Sequence, residues 1–198
     1  GGSTQICGPI QLDEVTMSRL YYSEEGRVTP SLCEELTQFR RVRKHLVLPA
    51  TAQAAQVFLL ARSYPGNDTP LRLAINDVEV AAIEPVQAAY YWYCVDVEAD
   101  VLRPGANTFE LWSDTSSMDS WSLALEAGHG QPNSEVSDDA GDSWRRERMG
   151  YLNCVRAEYV VRVRLAEGED PAAPPVVWED PDSPRMASLR ALVPAAAR

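Results

Sequence analysis

A two-residue hydrophobic period recurs through this chain in short runs about ten residues apart, with turn signals and almost no helical repeat between them. Val42, Lys44 and Leu46 alternate with Arg41, Arg43 and His45. Val57-Phe58-Leu59-Leu60-Ala61 is a continuous apolar run that stops at the turn Pro65-Gly66-Asn67-Asp68. Residues 71–75 and 78–80 flank Asn76-Asp77, a pair that tolerates the left-handed backbone of a tight hairpin. Tyr91, Tyr93, Val95 and Val97 share one face of a strand, and Trp92, Cys94 and Asp96 share the other. Arg103-Pro104-Gly105-Ala106 puts Pro and Gly in type II turn positions, after which Phe109 and Leu111 alternate with Thr108, Glu110 and Trp112. Trp121, Leu123 and Leu125 then alternate with Ser122, Ala124 and Glu126, and Val161, Val163 and Leu165 with Arg162 and Arg164. Parallel sheets need crossover helices, which the pattern lacks. The expected fold class is all-β: an antiparallel β-sandwich.

Two segments depart from that pattern. Thr29-Pro30-Ser31-Leu32-Cys33-Glu34-Glu35 reads as a short N-terminal helix, with Ser31 as cap and Glu34 completing a capping box. Residues 167–184 are acidic and proline-rich, as in an extended linker. The expected organisation is an N-terminal segment, 1–39, packing on a sandwich domain, 40–166. The linker, 167–184, then leads to 185–198, where Met186, Leu189, Leu192 and Val193 have the spacing of a helix opening the next domain of a longer protein.

Composition removes several function classes. A net charge of −11 opposes nucleic-acid binding, which needs a basic face. No apolar run approaches the roughly 18 residues of a membrane-spanning helix, and Gly1-Gly2-Ser3-Thr4 has no charged-then-apolar signal pattern. Cys7, Cys33, Cys94 and Cys154 are scattered without a C-x-x-C pair, which excludes the usual zinc spacing and leaves two disulfides or four thiols equally open. Of the 18 basic residues only Lys44 is a lysine.

Three stretches carry a family resemblance: the hairpin 71–80, the turn and strand Leu102-Arg103-Pro104-Gly105-Ala106-Asn107-Thr108-Phe109-Glu110-Leu111, and Glu158-Tyr159-Val160-Val161-Arg162-Val163-Arg164-Leu165. Together they make residues from about 55 to 165 resemble a galactose-binding-like jelly roll, the sandwich of many carbohydrate-binding modules and glycoside hydrolase accessory domains. A second resemblance is local. Ser137-Asp138-Asp139-Ala140-Gly141-Asp142-Ser143-Trp144 matches the Asp-box pattern S-x-D-x-G-x-[ST]-W at Ser137, Asp139, Gly141, Ser143 and Trp144. In such a turn Asp139 accepts hydrogen bonds from its own loop, Gly141 takes a positive φ and Trp144 folds back over the hairpin. Sialidase propellers repeat this box over several blades. One copy in 198 residues implies a rigid structural hairpin instead, and its occurrence in secreted, glycan-related proteins tilts the location toward extracytoplasmic.

Sugar rings stack on flat aromatic faces while polar side chains fix the hydroxyls. Trp92 and Trp112 fall on the polar side of their strands, near Asp96 and Glu110, so these four are the candidate ligand residues; the ordinary alternative is that other segments cover both tryptophans. Asp114 and Asp119, in a loop rich in hydroxyls, are candidate ligands for a structural calcium, set against a plain solvated turn. The basic stretches Arg40-Arg41-Val42-Arg43-Lys44 and Arg145-Arg146-Glu147-Arg148 offer either an anion site or surface ion pairs. Catalysis is not expected within this chain. His45, His129 and Cys94 lack an activating motif, and no spacing singles out a carboxylate pair. Gly128-His129-Gly130 lacks the rest of a phosphate loop.

The resemblance therefore implies a non-catalytic carbohydrate-binding or accessory module, with a glycan and a neighbouring domain as partners. The alternative is a structural or protein-interaction sandwich without a sugar site. It would precede a catalytic domain, because 184–194 is faintly similar to the lead-in of transglutaminase-like domains.

Overall fold

Where apolar and polar residues alternate, the chain forms strands that bury one face. The computed structural model describes residues 4–6, 18–51, 54–86, 90–165 and 177–178. Its larger sheet has seven strands: β1 (Thr4–Ile6), β2 (Arg19–Tyr21), β4 (Glu34–Leu36), β6 (Ala55–Ser63), β9 (Tyr91–Val97), β11 (Trp121–Leu123) and β15 (Val161–Leu165). The second has five, in the order β13 (Ser134–Ser137), β5 (Arg41–Leu48), β10 (Gly105–Ser113), β7 (Leu71–Ile75) and β8 (Val78–Ile83). Pairing within both is antiparallel. Two small ribbons complete the set: β12 (Leu125–Ala127) with β14 (Ala157–Tyr159), and β3 (Arg27–Val28) parallel to β16 (Val177–Trp178). The all-β antiparallel sandwich is therefore present.

The core lies between the two sheets. Val57 and Leu59 of β6 and Tyr93, Val95 and Val97 of β9 share one cluster with Val42 and Leu46 of β5, Phe109 and Leu111 of β10, and Leu71, Leu73 and Ile75 of β7. Burying each such side chain contributes roughly 1.5–3 kcal/mol before chain entropy is set against it. Trp121 sits at the centre with no exposed surface. Its indole N–H donates to the Thr69 carbonyl at 2.7 Å, and the Tyr93 ring meets it edge-on at 5.4 Å. The expected hairpin forms at Asn76 (φ 50) and Asp77 (φ 68), the double left-handed turn that matches strand twist. Asn107, fully buried, bonds the backbone of the turn before β10: its amide nitrogen donates to Arg103 O at 2.7 Å and its amide oxygen accepts from Arg103 N at 3.0 Å.

Two expectations need correction. The N-terminal helix is a single 3-10 turn, Pro30–Leu32, with no side-chain cap. The chain continues directly into β4, where Leu36 pairs with Trp121. The sheet edge presented by β11 outcompetes a helix too short to sustain itself, and Glu34 is drawn into the interior instead of serving a capping box. The outward set Ser122, Ala124 and Glu126 is also buried, at 0%, 0% and 1% exposure. At Ala124 and Val160 the chain leaves the large sheet for the β12–β14 ribbon, so one continuous alternation becomes two short strands. The segment around 24–29 then crosses the outer side of these strands. The Glu126 carboxylate accepts from Glu25 N (3.0 Å) and Arg27 N (2.6 Å), and Thr29 N donates to Leu125 O (2.9 Å). Val28 closes a second cluster over Leu60, Ala124 and Val160.

Strands β2, β3 and β4 fall within 1–39 and pair inside the sandwich and its ribbons. The linker 167–184, apart from Val177–Trp178, and the segment 185–198 lie outside the described residues. No helix among the described residues is long and apolar enough to cross a membrane. Cys33 and Cys154 carry free thiols, and Cys94 is buried in β9; Cys7 lies outside the described residues.

Candidate functional site

The four expected ligand residues do not converge. Trp92 and Asp96 stand on the outer face of β9, in the seven-stranded sheet. Glu110 and Trp112 stand on the outer face of β10, in the five-stranded sheet. Their inward neighbours, Tyr93 and Val95 on β9 and Phe109 and Leu111 on β10, meet in the core, so the two pairs point away from one another. Each tryptophan also carries an arginine over its ring: Arg162 at 4.9 Å from the Trp92 centroid and Arg41 at 4.8 Å from that of Trp112. Asp96 is exposed and accepts from the Gln56 amide at 3.1 Å.

The outer face of the five-stranded sheet is a ladder of mutually satisfied charges. Glu110 receives Arg41 at 3.3 Å and Arg43 at 3.2 Å. Arg43 also covers the Trp144 ring at 3.9 Å. The Asp114 carboxylate takes Arg72 at 2.7 Å on one oxygen and the Trp112 indole N–H at 3.2 Å on the other. Both of its oxygens are thus committed, while the backbone N–H of Asp119 turns to the Ser117 hydroxyl. Among the described residues no three His, Cys, Asp or Glu side chains gather as a metal would require.

The 137–144 turn is closed by its own side chains. Asp139 accepts from the hydroxyls of Ser137 and Ser143 and from Ser143 N, Gly141 N donates to the Ser137 hydroxyl, and the Trp144 indole donates to Gly141 O. Ala140 (φ 60) and Gly141 (φ 98) supply the left-handed step. The hydrogen bond from the Ser143 hydroxyl, then that from Ser137 and the Ser143 N–H, hold the Asp139 carboxyl down at about 2. A carboxyl depressed in the folded state stabilises above its ordinary value of about 3.9 and loses that contribution as pH falls through its folded value. A side-chain carbon NMR titration of Asp139 should therefore give a midpoint near 2, rising toward the ordinary value in Ser143→Ala. An ordinary midpoint in the unmodified chain would remove the Ser143 hydrogen bond from this account.

The aromatic groups that do converge lie at one end of the sandwich. Three connections, 37–40, 114–119 and 149–153, surround a cleft of about 330 Å³. Phe39, Met118 and Tyr151 line it and are about half exposed, at 52%, 53% and 54%. Their backbones are anchored. The Thr37 hydroxyl accepts from Phe39 N (3.1 Å) and Arg40 N (2.8 Å), Phe39 O accepts from Ala140 N (3.0 Å), and Tyr151 N donates to Leu32 O (3.3 Å). The same cleft is lined by a charged row. Arg40 binds Glu34 at 2.7 Å and also pairs with Asp138, which in turn takes Arg145 at 2.6 Å. Glu34 is buried and further accepts from Gly150 N (2.7 Å) and the Tyr159 hydroxyl (2.8 Å). Burial pushes the Asp138 carboxyl up, but Arg40 and Arg145 outweigh it and keep it below the ordinary range.

Sequence reasoning missed Phe39, Met118 and Tyr151 because it sought aromatics within strands. A signal existed: each sits in a turn between strands, where a large apolar side chain has no core to enter. No family model matches the sequence, and comparison with curated proteins finds no match.

Proposed function

We propose that this chain is a non-catalytic carbohydrate-binding accessory module of a larger protein, and that it takes its ligand at the sandwich end between Phe39 and Tyr151. The carrying observation is two half-exposed aromatic side chains on anchored loops beside a cleft with a charged lining. Flat rings there would stack on the C–H face of a sugar, and Arg40, Asp138 and Thr37 would meet its hydroxyls. The resemblance to galactose-binding-like jelly rolls supports this reading, and the self-closed 137–144 turn supports the Asp-box resemblance. Trp92 and Trp112 are better understood as outer-face packing beneath arginines. A glycan-array screen with and without calcium tests the assignment. Phe39→Ala and Tyr151→Ala should each weaken binding about ten-fold or more, as loss of a buried aromatic anchor does, while Trp92→Ala and Trp112→Ala retain it. Binding that fades only in the tryptophan variants would move the site back to the sheet faces.

The second reading is an interaction domain preceding a catalytic, transglutaminase-like neighbour. Met118 and Leu152, at 53% and 38% exposure, favour it by adding an apolar rim that sugars do not require. A blank array from folded, monodisperse protein would favour this second reading.

A further inference from the structure

Of the two arginine-rich stretches, the first is absorbed internally: Arg40 by Glu34 and Asp138, Arg41 and Arg43 by Glu110, Lys44 by Glu158. The second is not. Arg145 and Arg146 meet Arg156 around a cleft of about 190 Å³ walled by Gly130, Gln131 and Pro132. Among the described residues, Glu147 is the one carboxylate lining it. Its bond to Arg156 is long, 3.4 Å, with the two side chains 59% and 51% exposed. Arg146, 52% exposed, reaches Glu135 at 3.3 Å. Long, solvated ion pairs of this kind are weak and exchange readily for a better-matched anion. Arg145 is held from behind, its terminal nitrogen on Asp138 (2.6 Å) and Arg148 O (3.3 Å). Its Nε is buried without a hydrogen-bond partner among the described residues.

Guanidinium groups present paired N–H donors that match the two oxygens of a carboxylate or sulfate. We infer that this cleft binds an oxyanion, the carboxylate or sulfate group of an acidic saccharide. The saccharide rests on the function proposed above, whereas oxyanion capture stands on the three guanidiniums alone. The two clefts are joined through Asp138, which pairs with Arg145 here and with Arg40 in the aromatic cleft. An acidic sugar could therefore place its charged group among the arginines while a neighbouring ring stacks between Phe39 and Tyr151. In a chain of net charge −11, this converts general repulsion of anions into selective acceptance at one place.

The test uses the full chain in calorimetric titrations at matched ionic strength, with inorganic sulfate, a hexuronate oligosaccharide, a sulfated oligosaccharide and their neutral counterpart. One or both acidic sugars should bind about ten-fold tighter than the neutral one, the gain expected of an added charge-assisted contact. An Arg146→Gln/Arg156→Gln double variant should lose that advantage and keep neutral-sugar binding. The hexuronate and sulfated arms decide which oxyanion is preferred. Equal affinity for neutral and acidic sugars overturns the inference, as does an acidic preference that survives in the double variant. If no sugar binds, sulfate decides: binding lost in the double variant upholds the oxyanion site while the saccharide reading fails, and no sulfate binding overturns both.

Discussion

Replacing Lys44 by methionine should lower folding stability by about 3–5 kcal/mol, the range for stripping one partner from a buried ion pair. Lys44 is the chain's single lysine, and its side chain has no exposed surface. The ammonium donates to Glu158 at 2.7 Å and to Tyr159 O at 2.9 Å. Glu158, 2% exposed, also accepts from Asn133 N and the Ser134 hydroxyl. Two neutral donors cannot balance a carboxylate in the core, so its charge would be left largely uncompensated. A domain of this size holds roughly 5–15 kcal/mol in total, so the loss is a large fraction of it. The pair itself need not stabilise. Neutralising both ends in Lys44→Met/Glu158→Gln should restore most of the loss, because burying two charges nearly cancels their attraction. Burial raises the Glu158 carboxyl, but Lys44 and the hydrogen bonds outweigh it and hold it below the ordinary range. Its contribution is thus present above the unfolded value of about 4.3 and disappears as pH falls through the folded one. On acidification the deficit of the single variant should shrink, because protonation removes the uncompensated charge on Glu158 while the parent loses its pair. Urea denaturation reads all of this, and a Lys44→Met midpoint matching the parent would refute the buried-pair account.

Gly150→Ala is expected to be nearly as damaging, at about 2–5 kcal/mol, from two additive sources. Gly150 has φ +76, where any Cβ is strained, and a Cβ there would meet Leu32 O at 2.5 Å, with Leu125 and Val155 side chains at 3.4 Å. The carbonyl cannot yield cheaply, because it also accepts from Tyr151 N. Relieving the clash would pull Gly150 N from Glu34 and shift Tyr151, so ligand binding should fall with stability. Gly66 is the internal control. Its φ is +80 but nothing lies within 4 Å, so Gly66→Ala should show only the left-handed penalty of about 1–2 kcal/mol. Thermal unfolding of both variants separates strain from clash, and equal shifts would mean that the Leu32 contact is not limiting.

Strand positions were legible because alternation, Asn-Asp and Pro-Gly turns act locally. The 71–83 hairpin and the inward faces of β5, β9 and β10 follow from it directly. The N-terminal helix was misread because a capping pattern describes a local preference, whereas β11 offered an entire strand edge to residues 34–36. The faces at 122–126 were misread because period two shows which residues share a side, not whether a later segment covers that side. The aromatic cleft was legible only as single large apolar residues in three turns, not as a cleft. Phe39 and Tyr151 are more than a hundred residues apart with Met118 between them, and no local rule brings three turns to one end of a sandwich.

The sequence by itself determined the class of fold, the antiparallel pairing and the placement of Lys44 on an apolar strand face, since each depends on residues two to four apart. Tertiary structure decided what those positions mean. Packing between elements brought Glu158 of β14 to Lys44 of β5, turning a lone buried charge into a pair. Sheet membership sent Trp92 and Trp112 to opposite sides of the molecule and covered both with arginine. Loop convergence made an aromatic cleft beside a cluster of guanidiniums. Ion pairing and stacking act over a few ångströms in space, and only the folded chain specifies which distant residues lie that close.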